Sequence, residues 1–411
     1  MPRYIHLLIL LTLLQIASCT KTPTSPIWNG KADTSWYTTT DTSATEFTIA
    51  TAEQLAGLAK LVNDGNDFKG KTINLGANIM LNDTVNWQNW ATKPPKNKWK
   101  PIGKYIEEIE LRFLPDFINL IIYLFVPEST KRALRLEPTR LNFEGTFDGN
   151  GFVVSGVYIN SEETFQGLFG TVRGEIRNLG VIASYIKGRE YVGGLVGDIL
   201  GTVNNSYSTA WVTGTFIIGG LVGTSDGTIS NSYFAGVVTG GVDRERYRNN
   251  YYVGGLAGSA DTVINSYSIV KVTGSGFVGG LVGSIIRGTI SNSYSIGTLI
   301  GNTIIGNGGC TGGLLGRSYH NNTIVNSYSA SIVKGVECVG GLVGGIGEDE
   351  DKNINNSYYD MQISGQSDTG KGEGKATEQM KQKSTFSKWD FENVWGIDST
   401  INNGYPYLRG F

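Results

Sequence analysis

Cys310 and Cys338 each stand two residues before a Gly-Gly pair, at Gly312-Gly313 and Gly340-Gly341. Equivalent positions in neighbouring structural units would bring the two sulfurs within disulfide reach. The spacing leaves two outcomes open, a disulfide or a pair of stacked buried thiols. Histidine chemistry is scarce, because the chain has only His6 and His320. That excludes an H-E-x-x-H zinc site and argues against Ser-His-Asp or Cys-His nucleophilic catalysis. His320 sits in the polar stretch Tyr319–Asn322 and reads as a solvated turn residue. The side chains best suited to hold a ligand lie in two irregular stretches. Gly241–Asn250 contains Arg244, Arg246, Tyr247 and Arg248, and Gly301–Gly309 contains Asn302 and Asn307. Guanidinium groups beside a phenol suit carboxylates or acidic sugars, though a solvated loop explains the same residues. The acidic run Glu348–Asp351 lacks the alternating ligands and turn glycine of a calcium loop. Asp148-Gly149-Asn150-Gly151 reads as a tight turn. No metal or cofactor site is expected.

The elements that must position these residues are announced by a repeat. Gly-Gly-Leu-Val-Gly or a near copy stands at Gly193–Gly197, Gly219–Gly223, Gly254–Gly258, Gly279–Gly283, Gly312–Gly316 and Gly340–Gly344, with a weaker copy at Gln166–Gly170. Asn-Ser-Tyr follows at Asn205, Asn231, Asn265, Asn292, Asn326 and Asn356. A third phrase, x-Val-Thr-Gly, recurs at Trp211–Gly214, Val237–Gly240 and Lys271–Gly274. Self-similarity at this period means stacked copies of one unit. Three short strands per repeat predict an all-β, right-handed parallel β-helix of about seven to nine coils, each pairing with the next about 4.8 Å away. Alternation through the second phrase places Val203, Asn205 and Tyr207 on one face and Ser206 on the other. Val203, Ile229, Val263, Ile290, Ile324 and Ile354 then form an apolar ladder inside the coils. Tyr207, Tyr233, Tyr267, Tyr294, Tyr328 and Tyr358 share its parity and are expected to pack with it, and the asparagines to form an amide ladder at a bend.

Composition agrees with that architecture. Fifty-seven glycines and a charged fraction of 17% suit β-structure with tight turns. A net charge of −2 gives no reason to expect a nucleic-acid partner.

Gly-Leu-hydrophobic-Gly followed by Asn-Ser-Tyr resembles the signature of GLUG-motif proteins, repetitive bacterial surface proteins. The resemblance runs from about Asn142 to the C-terminus, where Trp389–Leu408 (Trp-Asp-Phe, Val-Trp-Gly-Ile, Gly-Tyr-Pro-Tyr-Leu) also looks like the usual end of such chains. The family includes streptococcal IgA1 metallopeptidases, in which these repeats are separate from the zinc domain. This chain carries no such zinc motif, so that activity is not implied. Other members are adhesin-like.

Arg3, the apolar Leu7–Ile16 and then Ile16-Ala17-Ser18-Cys19 resemble the leader and lipobox of bacterial lipoproteins. The resemblance implies cleavage before Cys19, acylation of Cys19 and membrane attachment through the lipid. Thr20 after the cysteine favours the outer membrane by the same resemblance. Residues 1–18 then form the signal peptide and 19–36 the lipidated tether. Residues 37–104 form an N-terminal cap and first coils, 105–140 an insertion, 141–362 the repeat β-helix, and 363–411 a C-terminal linker and cap.

Thr51-x-x-Gln54 reads as a capping box for a helix to about Val62, with Thr72–Leu81 as the first strand. Thr377 is expected to cap a short helix. Trp28, Trp36, Trp87, Trp90 and Trp99 are read as cap-packing aromatics rather than a sugar platform. Within 105–140, Asp116–Val126 is nearly all apolar, too short to span a bilayer, and Ser129–Leu136 is basic. It reads as a packed flap or a docking element. The expected function is surface-anchored and non-catalytic: adhesion, or binding of an extracellular glycan or protein. The alternatives are a polysaccharide-active lyase or hydrolase, and a passive envelope spacer. Acid and base residues cluster mainly outside the repeats, which disfavours the enzyme.

Overall fold

The structure is a computed structural model that describes residues 26–38, 43–106, 127, 139–241, 251–302, 309–347 and 353–411. The chain forms a parallel β-helix. Among the described residues its coils build three parallel sheets of fourteen, eleven and five strands. The coil from Ile217 to Gly240 crosses all three sheets. Ile217–Gly219 runs on the narrow five-stranded sheet, Val222–Ser230 on the largest sheet, and Tyr233–Gly240 on the third. Each strand pairs in register with its counterpart one coil later, as in Ile217↔Tyr252, Ile229↔Val263 and Tyr233↔Tyr267.

Gly-Gly-Leu-Val-Gly is therefore a corner. Its first glycine ends the narrow strand and its valine starts the next. The second glycine is required by close coil approach: a Cβ on Gly220 would fall 2.2 Å from the Gly255 carbonyl oxygen. Leu195, Leu221, Leu256, Leu281, Leu314 and Leu342 turn into the interior and are fully buried. Val203, Ile229, Val263, Ile290 and Ile324 form the expected inner ladder, also buried.

Asn-Ser-Tyr behaves differently from the alternation expected of it. Asn205, Asn231, Asn265, Asn292, Asn326 and Asn356 all adopt left-handed φ near +47°, so the phrase is a second corner rather than part of one strand. Asparagine tolerates this region better than other non-glycine residues. The corner inverts the parity of the strand beyond it. Ser206 and its equivalents face inward, and each backbone N–H donates to the serine hydroxyl of the next coil, as in Ser206 N to Ser232 Oγ at 3.1 Å. The tyrosines face outward. The asparagines do form an amide ladder, with Asn292 donating to Asn265 at 3.1 Å.

The outward tyrosines stack face to face. Centroids are 4.8–5.0 Å apart from Tyr207 through Tyr233, Tyr267 and Tyr294 to Tyr328, with ring planes within 9°. The C-terminal segment folds back over this ladder. Trp395 lies 6.1 Å from both Tyr294 and Tyr328, and Phe411 lies against Tyr233 and Tyr267. At the other end Tyr207 lies across Gly180, where a Cβ would fall 2.5 Å from the ring.

Near the N-terminus α1, Ala52–Asn63, starts at Thr51, whose hydroxyl accepts from Gln54 N. The Gln54 side chain returns to Ala50 N rather than to Thr51. The first strand is not Thr72–Leu75 but Glu46–Ile49, which precedes the helix and pairs parallel with Thr72–Leu75. The helix is thus a crossover whose Leu55, Leu58 and Val62 enter the coil core. The expected Thr72–Leu81 strand is also broken, into Thr72–Leu75 and Ile79–Met80. The early tryptophans pack: Trp28 edge-on to Trp99 at 5.7 Å, Trp36 against Phe47 and Phe68, Trp90 against Tyr158, with Trp87 beside it. At the other end a second short helix, α2 at Thr377–Met380, is capped by Ala376 and Gln379. Thr377 instead donates its hydroxyl to Asp360 at 2.9 Å.

Candidate functional site

Phe165, Tyr191, Ile217, Tyr252, Phe277, Cys310 and Cys338 hold equivalent positions just before the Gly-Gly corner; Tyr191 and Tyr252 are half-buried, Cys338 is exposed and the others are buried. Tyr191 lies flat on Phe165, with centroids 4.7 Å apart at 7°, and Tyr252 lies on Phe277 at 5.8 Å. A second row begins around the corner, four residues after the second glycine of each copy. It consists of Thr171, Asp198, Thr224, Ser259, Ser284, Arg317 and Gly345, in register from coil to coil.

Charge is concentrated on this second row and its edge. Arg140 forms an ion pair with the buried Asp198 and lies 4.9 Å over the Phe165 ring. Burial lifts the Asp198 carboxyl above the usual carboxylate range; Arg140 opposes that shift and Asp226 reinforces it. Burial likewise raises Asp261, with Asp226 adding to it. Three carboxylates, one per coil, thus share the outer face. Burial, and then the neighbouring Tyr319, push the Tyr252 phenol up to about 12. Arg317 lies over Phe277 at 5.6 Å and Tyr319 at 5.2 Å.

The sequence-predicted residues fall as follows. Cys310 and Cys338 are joined by a disulfide with Cα atoms 4.6 Å apart. Asn302 is exposed at the end of the strand Tyr294–Asn302. Arg244, Arg246, Tyr247, Arg248, Asn307 and Cys19 lie outside the described residues, as do the Glu348–Asp351 run, Asp116–Val126 and Ser129–Leu136. The stems of the interruptions are described. Gly241 and Tyr251, and two coils on Asn302 and Gly309, flank the same edge of the narrow sheet, about 10 Å apart by coil spacing. The 105–140 stretch leaves through an antiparallel pair, Lys104–Ile106 with Thr139–Leu141. Its Tyr105 ring rests 5.4 Å from Phe165, and Leu141 accepts a hydrogen bond from Thr171 Oγ1 at 3.1 Å. A shallow cleft beside the second loop stem is lined by Gly276, Asn302, Gly309, Thr311, Val336 and Glu337.

Sequence reading missed Arg140, Asp198, Asp226, Asp261 and Arg317 as a group. A signal was present: Asp198 and Arg317 hold the same offset from Gly-Gly as small residues in the other copies. Among the described residues no group of three His, Cys, Asp or Glu is placed to hold a metal ion, and no helix is long and apolar enough to cross a membrane.

No family model matches the chain. A protein of Evansella cellulosilytica named "Putative Gly-rich membrane protein" is 40% identical over 126 residues, 29% of this chain and 14% of that protein. The chain therefore spans about a seventh of that relative's length. Among solved structures, a "putative immunoglobulin A1 protease from Bacteroides ovatus" is similar with a TM-score of 0.48 and 18% identity, over 95% of this chain and 99% of that one.

Proposed function

We propose that the chain is an envelope-anchored, non-catalytic β-helix of the GLUG-motif kind that binds an extracellular glycan or protein ligand through the narrow-sheet face. The observation carrying this reading is that three interruption stems border the narrow-sheet face, which combines half-buried tyrosines with Arg140, Arg317 and a row of carboxylates. Insertions gathered on one face of a repeat stack often mark its binding face. Attachment through an acylated Cys19 to the outer membrane rests on the lipobox resemblance, and a membrane location agrees with the name of the Evansella relative.

The test is binding of residues 20–411 to glycan arrays and to surface proteins of candidate hosts, beside a variant lacking 242–250 and the variant Arg140→Ala. Binding that is lost or weakened at least tenfold in either variant supports the face. Equal binding by all three removes it.

A second reading, a polysaccharide-active enzyme, is favoured by one observation. Asp198, its carboxyl raised by burial, and the exposed Asp226 lie on adjacent coils of the outer face, a pairing suited to acid and base roles. Release of reducing ends or unsaturated products from a polysaccharide, abolished by Asp226→Asn, would establish it in place of the first.

A further inference from the structure

The disulfide is asymmetric, and the asymmetry has a chemical direction. Cys310 is 1% exposed, whereas Cys338 is an exposed residue with left-handed φ of +48°. Arg317 Nη1 lies 3.6 Å from Cys310 Sγ. Rings of Phe277 and Tyr319 hold that guanidinium in place. Arg317 forms no ion pair among the described residues, and its buried Nε has no hydrogen-bond partner. Among the described residues, therefore, a positive charge lies beside one sulfur with no carboxylate paired to it. The register supplies the space. Gly345 pairs with Arg317 one coil on, and a Cβ there would fall 2.5 Å from Cys310 Sγ and 2.8 Å from Cys338 Sγ.

Thiol–disulfide exchange is fastest when the attacked sulfur is accessible and the leaving thiol has a low pKa. We infer that Cys310–Cys338 is a thiol-exchange site in which an external small-molecule thiolate attacks Cys338 and Cys310 leaves. The attacking sulfur forms a new bond to Cys338 Sγ, and the Cys310–Cys338 bond breaks. Its electron pair departs on Cys310 as a thiolate opposite Arg317. The product is a mixed disulfide on Cys338, with no other oxidant or reductant consumed. The break also frees the exposed segment Lys334–Cys338, whose Val336 and Glu337 form one wall of the cleft beside Asn302.

The experiment uses the full chain, with reduced glutathione as the thiol. The reaction is quenched by acid and excess alkylating agent at short times, and each cysteine peptide is mapped by mass. Glutathione on Cys338 with the alkyl label on Cys310 is the expected pattern. Arg317→Met should slow the exchange several-fold, and Arg317→Lys should restore much of the rate by returning the charge. Circular dichroism before exchange establishes that each variant is folded. Glutathione placed mainly on Cys310, an Arg317→Met rate equal to the parent's in a folded chain, or two alkylatable thiols in the chain before any reductant would each overturn the inference.

Discussion

Single side chains in this molecule are stabilised mostly by what the next coil supplies. Asp148 is an example. It accepts from Asn178 Nδ2 at 3.0 Å and Arg177 Nε at 2.8 Å, both one coil on, and from Asn150 N at 2.8 Å. Burial works to raise its carboxyl, but these partners outweigh burial and hold it below the ordinary value of 3.8. The folded state therefore binds the proton more weakly than the unfolded chain. Its contribution is complete above that ordinary value and is lost as pH falls through the folded value. Asp148→Asn should destabilise the early coils by roughly 1–2 kcal/mol at neutral pH, and the difference from the parent should shrink in acid. Urea melts at two pH values read this directly, and a constant difference would refute it. Asp198 has the opposite sign. Its raised carboxyl opposes folding as pH rises through the unfolded value toward the folded one.

At the scale of elements, the tail and the tyrosine ladder stabilise each other. The stacked rings present edges and hydroxyls, not free faces, and Trp389, Trp395 and Tyr405 cover them. Tyr328 donates its hydroxyl to the Pro406 carbonyl at 2.7 Å and accepts from Asn402 at 2.9 Å, while Tyr405 donates to Asp360 at 2.7 Å. Burial raises the Tyr294 and Tyr328 phenols well above their ordinary value, so they stay neutral. Trp395 is fully buried, and Trp395→Ala should cost about 3–5 kcal/mol locally. Faster amide exchange in Tyr294–Asn302 and Tyr328–Lys334, with Tyr207–Gly214 unchanged, is the expected readout; uniform protection would mean the tail is not seated. The ladder also shows where sequence reading stops. Alternation assumes one continuous strand, and the left-handed asparagine at each corner breaks it. The same asparagine in six copies was a visible hint, since φ > 0 is a habit of Asn. The direction of the following tyrosine depends on the corner's geometry.

The whole molecule is a one-dimensional stack, so coils communicate with neighbours more than with distant ones. The disulfide joins residues separated by 28 in sequence, which in the chain-entropy picture stabilises by about 3–4 kcal/mol. Replacing both cysteines by serine should increase amide exchange in the last coils, around Leu315–Tyr319 and Val343–Ile346, and leave coils before Gly254 as they were. A loss of protection along the whole stack would instead indicate one cooperative unit.

The order of residues along the chain was enough to specify the β-helix, its inner aliphatic ladder and its amide ladder. These are local patterns repeated in register, and a repeat can bury its apolar side only by stacking. The same repetition placed the loop stems two coils apart and the two cysteines in adjacent coils. Folding in three dimensions was needed to show that the tyrosines face outward beneath the tail, that Glu46–Ile49 precedes the helix as the first strand, and that Cys310 and Cys338 are joined. It also brought Arg140, Asp198, Asp226 and Asp261 together. Those charges are about a coil apart in sequence or farther, and only pairing one coil against the next makes them neighbours.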